Sequence, residues 1–178
     1  LVLITLSGLP GSGTSTVARS AATRLGLAHL DGGTVFRSLA AEHGLSLAEF
    51  ARLAEADASI DRSLDDRLLD RARDGHVLLE SRLAGWLATR GGLDALRVWI
   101  ACDDRERARR VAGREGHDLD AAVTANAERE ASERQRYQDF YGIDLTDLGI
   151  YDLVIDSTSS GPDEIVAMLV DAATARFA

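Results

Sequence analysis

The sequence predicts an α/β fold, a doubly wound parallel sheet of about five strands. Three observations predict it. Short apolar runs rich in β-branched residues alternate with longer stretches of helical periodicity, the pattern of parallel strands joined by crossover helices. A glycine-rich turn lies directly between the first such run and the first helical stretch. The chain has 178 residues, 46% hydrophobic and 28% charged, which suits one domain with a buried core and falls short of two.

The first strand is expected over residues 1–6, LVLITL, a run apolar or β-branched throughout, as a strand buried on both faces requires. It lacks a basic leader and a small-residue cleavage site, so it reads as a core strand and not as a signal segment. A helix follows over 14–25, then a short strand over 28–30. Helical patterns cover 34–43 and 46–74, with a break near Asp57, before a third strand over 76–80. A helix over 83–90, a strand over 96–101, a helical stretch over 103–140 broken near Gly116, a strand over 151–156 and a helix over 162–177 complete the order. Residues 46–74 and 103–138 are polar, helical and poor in sheet-forming residues. In a doubly wound fold, such excursions leave strand carboxyl ends and sit over the ligand crevice. They are candidate lids, the alternative being solvated crossover helices.

Composition narrows the function. A net charge of −9 argues against the broad basic face that nucleic-acid binding needs, and no apolar run is long enough to span a bilayer. The single cysteine, Cys102, forms no internal disulfide and belongs to no metal-type spacing. We expect a cytoplasmic monomer whose partners are small anions. All 20 basic residues are arginine and none is lysine. Neutralising phosphate therefore falls to guanidinium groups, backbone N–H and metal.

Gly8-Leu9-Pro10-Gly11-Ser12-Gly13-Thr14-Ser15 matches the phosphate-loop pattern G-x-x-x-x-G-K-[ST] at every fixed place except one, where Thr14 stands for lysine. The glycines permit a tight turn that points N–H groups at a triphosphate, and the helix beginning near Thr14 adds its positive end. Ser15 carries the hydroxyl for Mg²⁺. The expected ATP-binding set is Gly8 through Ser15 with Thr16, and Glu80, closing the third strand, reaches the metal through water.

Arginine placement marks the rest of the site. Arg37 follows a glycine pair at a strand end, and Arg82 follows the third strand in the same manner, so both can bend over the crevice. Arg107, Arg110 and Arg114 share a helix face at i, i+3, i+7, and Arg129, Glu133 and Arg136 share one at i, i+4, i+7. Neighbouring acids, among them Asp103, Asp104, Glu106 and Glu130, leave open a plain solvated helix for Arg107, Arg109 and Arg114. His29, His43, His76 and His117 read as packing or surface residues. Trp86, Trp99 and Phe50 read as core, with Phe36 and Tyr137 close to the site.

Leu79-Glu80-Ser81-Arg82-Leu83-Ala84-Gly85-Trp86 closely resembles the archaeal-type cytidylate kinases. The similarity extends to Gly32 through Arg37, Ile60-Asp61 before a polar helix, Glu128 through Tyr137, Phe140 through Asp144, and Tyr151 through Asp156. The resemblance implies a P-loop nucleoside monophosphate kinase fold in one domain. Its core would span 1–33, 76–103 and 143–178, with an NMP-binding insertion at 34–75 and a lid at 104–142. It implies Mg-ATP-dependent transfer to CMP or dCMP. Asp31, Arg37, Arg82, Arg129, Glu133 and Arg136 would hold the acceptor, and Arg110, Arg129 and Arg136 would act on the transferring phosphoryl. Thr14 and the Gly33-Thr34 pair depart from the family pattern. Two other readings stay open: a different nucleotide or a hydroxyl acceptor, with Asp31 as base, and a nucleotide-binding regulatory protein without turnover.

Overall fold

A computed structural model describes residues 1–116 and 118–178. Among the described residues, strands and helices follow in the order β1 (Leu3–Gly8), α1 (Thr14–Leu25), β2 (Ala28–Asp31), α2 (Gly32–Glu42), α3 (Leu47–Ala56), α4 (Ala58–Arg73), β3 (Val77–Glu80), α5 (Ala84–Arg90), β4 (Leu96–Ala101), α6 (Asp104–Glu115), α7 (Leu119–Tyr141), β5 (Leu153–Asp156) and α8 (Pro162–Phe177). His117 lies outside the described residues.

The sheet runs β2-β3-β1-β4-β5 and every ladder is parallel. Register aligns the strand carboxyl ends: Asp31 pairs with Glu80, Glu80 with Leu6, Gly8 with Ile100 and Ala101 with Asp156. The chain fills one side of β1 with β2 and β3, then crosses to lay β4 on the other. The ligand crevice of such a sheet opens at that reversal, beyond the carboxyl end of β1.

Alternation along the strands feeds two core layers. Ile4, Leu6, Leu78, Val98 and Ile100 meet Val17, Ala18 and Ala21 of α1 and Ile165, Val166 and Leu169 of α8. On the opposite face, Leu3, Val77 and Leu79 meet Leu68 and Ala72 of α4 and Ala84 and Ala88 of α5. Each fully buried Leu, Ile or Val contributes about 1.5–3 kcal/mol, so the strand ends are held by a rigid base.

Where bounds differ from expectation, pairing and capping explain it. β1 starts at Leu3, because the ladder with β3 begins at Leu3 opposite Val77 and Leu1 is 84% exposed. β5 starts at Leu153, since Tyr151 closes a turn on Leu148 and sets its ring 5.3 Å from that of Trp99. α2 starts at Gly32, because the Asp31 carboxylate caps it by accepting from the Gly33 N–H at 2.8 Å. The break at Asp57 is real, and that side chain caps α4 through the Ser59 N–H. Asp61, expected before a helix, lies in the first turn of α4. Helices α2 to α4 leave from β2, and α6 and α7 leave from β4, so both excursions depart from the crevice edge. Among the described residues, no helix is long and apolar enough to cross a membrane.

Candidate functional site

The loop after β1 is built to present backbone donors. Gly11 and Gly13 take φ of 86° and 91°, left-handed values that favour glycine. A Cβ on Gly11 would stand 2.5 Å from the Arg107 carbonyl oxygen, so only glycine lets α6 approach this closely. Gly13 caps α1 without a side-chain hydrogen bond, and the first turn of α1 carries no acidic residue. Its N–H groups and positive dipole end are thus left for an anion. Thr14, Ser15 and Thr16 open the helix as expected.

Glu80 connects the loop to the sheet. Its Oε1 accepts from Ser15 Oγ at 2.6 Å and its Oε2 faces His29 Nε2 at 2.9 Å. Parallel pairing of β2 with β3 creates this contact, for Asp31 lies opposite Glu80 and His29 points the same way two residues back. A hydroxyl and a carboxylate side by side form an oxygen donor set of the kind hard cations prefer.

A charged layer lies over the crevice. Arg82 donates through Nε to Glu133 Oε2 at 2.7 Å and through Nη1 to the Gly8 carbonyl. Arg129 holds the other carboxylate oxygen of Glu133 at 3.1 Å. Burial pushes the Glu133 carboxyl up, but Arg82 and Arg129 outweigh it and hold the group below the usual range. One turn on, Arg136 Nε donates to Asp61 Oδ2 at 2.9 Å, and Tyr141 Oη donates to Asp65 Oδ2 at 2.5 Å. Burial raises Asp65 to about 7, against the opposing pull of the tyrosine hydroxyl. Tyr137, expected to be near the site, packs with Leu83, Ile143 and Leu145.

At the carboxyl end of β2, Asp31 Oδ2 accepts from Thr34 Oγ1 at 2.5 Å and from Arg37 Nη2 at 3.3 Å. Arg37 is 56% exposed, and its Nη2 also donates to Thr34 Oγ1 at 2.7 Å. Burial raises the Asp31 carboxyl, yet the bonds from Thr34 and Gly33 and the Arg37 charge pull it below its ordinary value.

The arginines of α6 divide. Arg109 lies on the exposed face, paired with Glu106 at 2.7 Å. Arg110 points inward and donates to the Ser157 carbonyl at 2.6 Å and, at 3.4 Å, to the Ser12 carbonyl. Arg107 overturns the solvated-helix reading: its side chain is 2% exposed and donates to the Pro10 carbonyl at 3.0 Å and to Glu130. Helical spacing cannot reveal such a partner, because it lies in a loop almost 100 residues back.

The structure thus brings the phosphate loop, Glu80, Arg82, Arg110, Arg129 and Glu133 together, sets Arg37 and Asp31 at the neighbouring strand end, and ties Arg136 to Asp61. Sequence reasoning gave no role to Asp61, Asp65, His29 or Ser157. Ser157 was the most accessible of these, since it directly follows a strand whose carboxyl end faces the crevice; its hydroxyl holds the Ser12 carbonyl at 2.8 Å.

A model of the cytidylate kinase-like family matches residues 3–159. The chain is 43% identical to a cytidylate kinase of Pyrococcus horikoshii over 168 residues, covering 94% of this chain and 86% of that one. It is 45% identical to a cytidylate kinase of Halobacterium salinarum over 175 residues, covering 98% and 90%. In fold it is similar to a shikimate kinase from Bacteroides thetaiotaomicron, with a TM-score of 0.64, 14% identity and coverage of 96% and 97%.

Proposed function

Because the chain belongs to the cytidylate kinase-like family, we propose that it transfers the γ-phosphoryl of ATP to CMP, and to dCMP, releasing ADP and the pyrimidine nucleoside diphosphate. The observation that carries this reading is the meeting of a phosphate loop, whose helix N-terminus has no side-chain cap, with a buried arginine–carboxylate layer at the carboxyl ends of the strands. Phosphoryl transfer asks a protein mainly to align two anions and offset their charge. The arrangement suits both tasks.

The loop and the first turn of α1 hold the triphosphate of ATP. Ser15, with Glu80 acting through water, holds Mg²⁺, which when bound offsets charge on the β- and γ-phosphates. Helices α2 to α4 form the NMP-binding insertion, and α6 and α7 form the lid. Arg37, Arg82 and Arg136 receive the acceptor phosphate and pyrimidine, with Asp31 orienting Arg37. Glu133, between Arg82 and Arg129, positions both guanidinium groups and accepts a bond from the acceptor. Arg110, beside Ser12, and Arg129, beside Glu133, act on the transferring phosphoryl.

No general base is required, because the acceptor phosphate is ionised near neutral pH. A hydroxyl acceptor would need a base there, and Asp31 is already engaged by the Gly33 N–H, the Thr34 hydroxyl and Arg37, which favours this reading. The test is ADP release in a coupled assay with ATP and Mg²⁺. CMP should trigger turnover far above the rate without an acceptor. ADP release that no nucleoside monophosphate accelerates would refute the proposal.

A further inference from the structure

The outward carbonyls of the phosphate loop follow a pattern that the missing lysine makes meaningful. The Gly8 carbonyl is held by Arg82, the Pro10 carbonyl by Arg107 and, more distantly, the Ser12 carbonyl by Arg110. Behind each guanidinium stands a glutamate from the lid helices: Glu133 for Arg82, Glu130 for Arg107 and Glu106 for Arg110. Three successive alternate peptide groups are therefore gripped from the back by three arginine–glutamate pairs. The intervening Leu9 carbonyl is taken by Ser12, through its N–H at 3.1 Å and its hydroxyl at 2.6 Å.

In a trans peptide the C=O and N–H point in opposite directions. A cation on each of these carbonyls therefore leaves the N–H groups of Leu9, Gly11 and Gly13 facing away from it, and polarises them. Hydrogen bonds in a chain strengthen one another in this sense. The loop's donors are fixed and sharpened without any ammonium group in the loop itself.

The geometry points to Arg107 as a positioning residue for the phosphate loop, the centre of a three-arginine brace that does from behind what a loop lysine does from within. This rests on the reading above, that the loop binds the triphosphate of ATP. Arg107 is set apart from the acceptor and phosphoryl arginines by its burial and its two acidic partners, Glu130 and Asp104. It acts through the peptide group of Pro10 and Gly11. The backbone of Arg107 also abuts Gly11, so one residue fixes both the carbonyl and the close approach of the turn. Because Glu130 belongs to α7, movement of the lid is felt at the loop through Arg107.

The test measures ATP affinity by calorimetry in excess Mg²⁺, with a thermal melt of each protein. Arg107→Met should weaken ATP binding about tenfold or more, the usual consequence of losing a charge-assisted contact. Thr14→Lys, made alone and together with Arg107→Met, completes the cycle: the loop ammonium should raise ATP affinity about threefold or more further in the Arg107→Met background than in the parent, because there it replaces what the brace supplied. If Thr14→Lys gives the same gain in both backgrounds, Arg107 matters only for packing α6 and α7, and the proposal is overturned. Should Arg107→Met fail to fold, Arg107→Gln decides. Its amide N–H can still donate toward the Pro10 carbonyl but carries no charge, so ATP affinity should fall about tenfold. Unchanged affinity in that variant contradicts the brace. A parent protein that binds no ATP would remove the underlying reading as well, which separates that failure from failure of the brace alone.

Discussion

Arg136 of α7 and Asp61 of α4 form a buried ion pair, Nε to Oδ2 at 2.9 Å, with side chains 11% and 5% exposed. Among the described residues, side-chain hydrogen bonds from α7 to the α3–α4 segment also join Tyr141 to Asp65 and Ser132 to Glu55. The two excursions that frame the crevice are thereby joined to each other.

Truncating one member of such a pair leaves the other buried without its counterion. Arg136→Ala should destabilise the protein by about 3–5 kcal/mol in urea denaturation. A second change, Asp61→Asn, should recover part of it. If Arg136→Ala is as stable as the parent, the pair does not form in solution.

Asp65 gives a pH dependence with a defined sign. Its folded pKa, raised by burial to about 7 from an ordinary 3.8, means the folded state binds the proton more tightly. The contribution is fully present below the unfolded value and is lost as pH rises through about 7. Asp65→Asn removes this titration. The stability difference, parent minus variant, should therefore fall steadily between pH 4 and pH 8. A difference independent of pH would show that Asp65 titrates normally.

At the phosphate loop, two glycines should fail for different reasons. Gly13→Ala meets Arg110 Nη1 at an ordinary van der Waals distance, 3.7 Å, and suffers only from the left-handed φ. Gly11→Ala has the same strain and also collides with the Arg107 backbone. Both should lower ATP affinity in calorimetry, by about five- to thirtyfold if the strain of about 1–2 kcal/mol falls on the bound loop, and Gly11→Ala should also melt earlier. Equal melting temperatures would mean α6 does not press on the turn.

Much of this was legible beforehand. The helix over 14–25 and the break at Asp57 were readable because glycine and aspartate act locally, through backbone freedom and capping. The strand over 96–101 was readable because it is buried and central. Glu80 closes β3 and Arg82 follows it, as expected, and Arg37 lies in α2 just after β2. What stayed hidden depends on partners distant in sequence. Arg107 reads as one of many arginines on a polar helix until the Pro10 carbonyl is seen beside it. Asp61 and Asp65 look like solvated helix residues until α7 covers them, and the contact of His29 with Glu80 needs the strand register.

Kinetics should separate the arginines. Arg37, exposed and on the acceptor side, should when replaced by Ala raise the KM for CMP about tenfold or more with kcat little changed. Arg110→Ala separates two roles: a fall confined to kcat marks action on the transferring phosphoryl, whereas weaker ATP binding marks a brace on the Ser12 carbonyl. Changes below about threefold in both constants would place the residue outside direct contact with either nucleotide.

Base selection tests the account most directly. Cytosine carries an amino donor at position 4 where uracil carries a carbonyl acceptor, and on the proposed reading the donor is received by Asp61 or Glu133, which pair with Arg136 and Arg82 in this structure. A site arranged for that donor leaves an acceptor unpaired when UMP binds, a mismatch worth up to about 10⁴-fold in discrimination. The decisive measurement is kcat/KM for CMP, dCMP, UMP and AMP in parallel, at saturating ATP and Mg²⁺. CMP and dCMP should exceed UMP and AMP by about 10²-fold or more. Comparable values for UMP or AMP would contradict the cytidylate assignment, even with the fold and the phosphate loop intact.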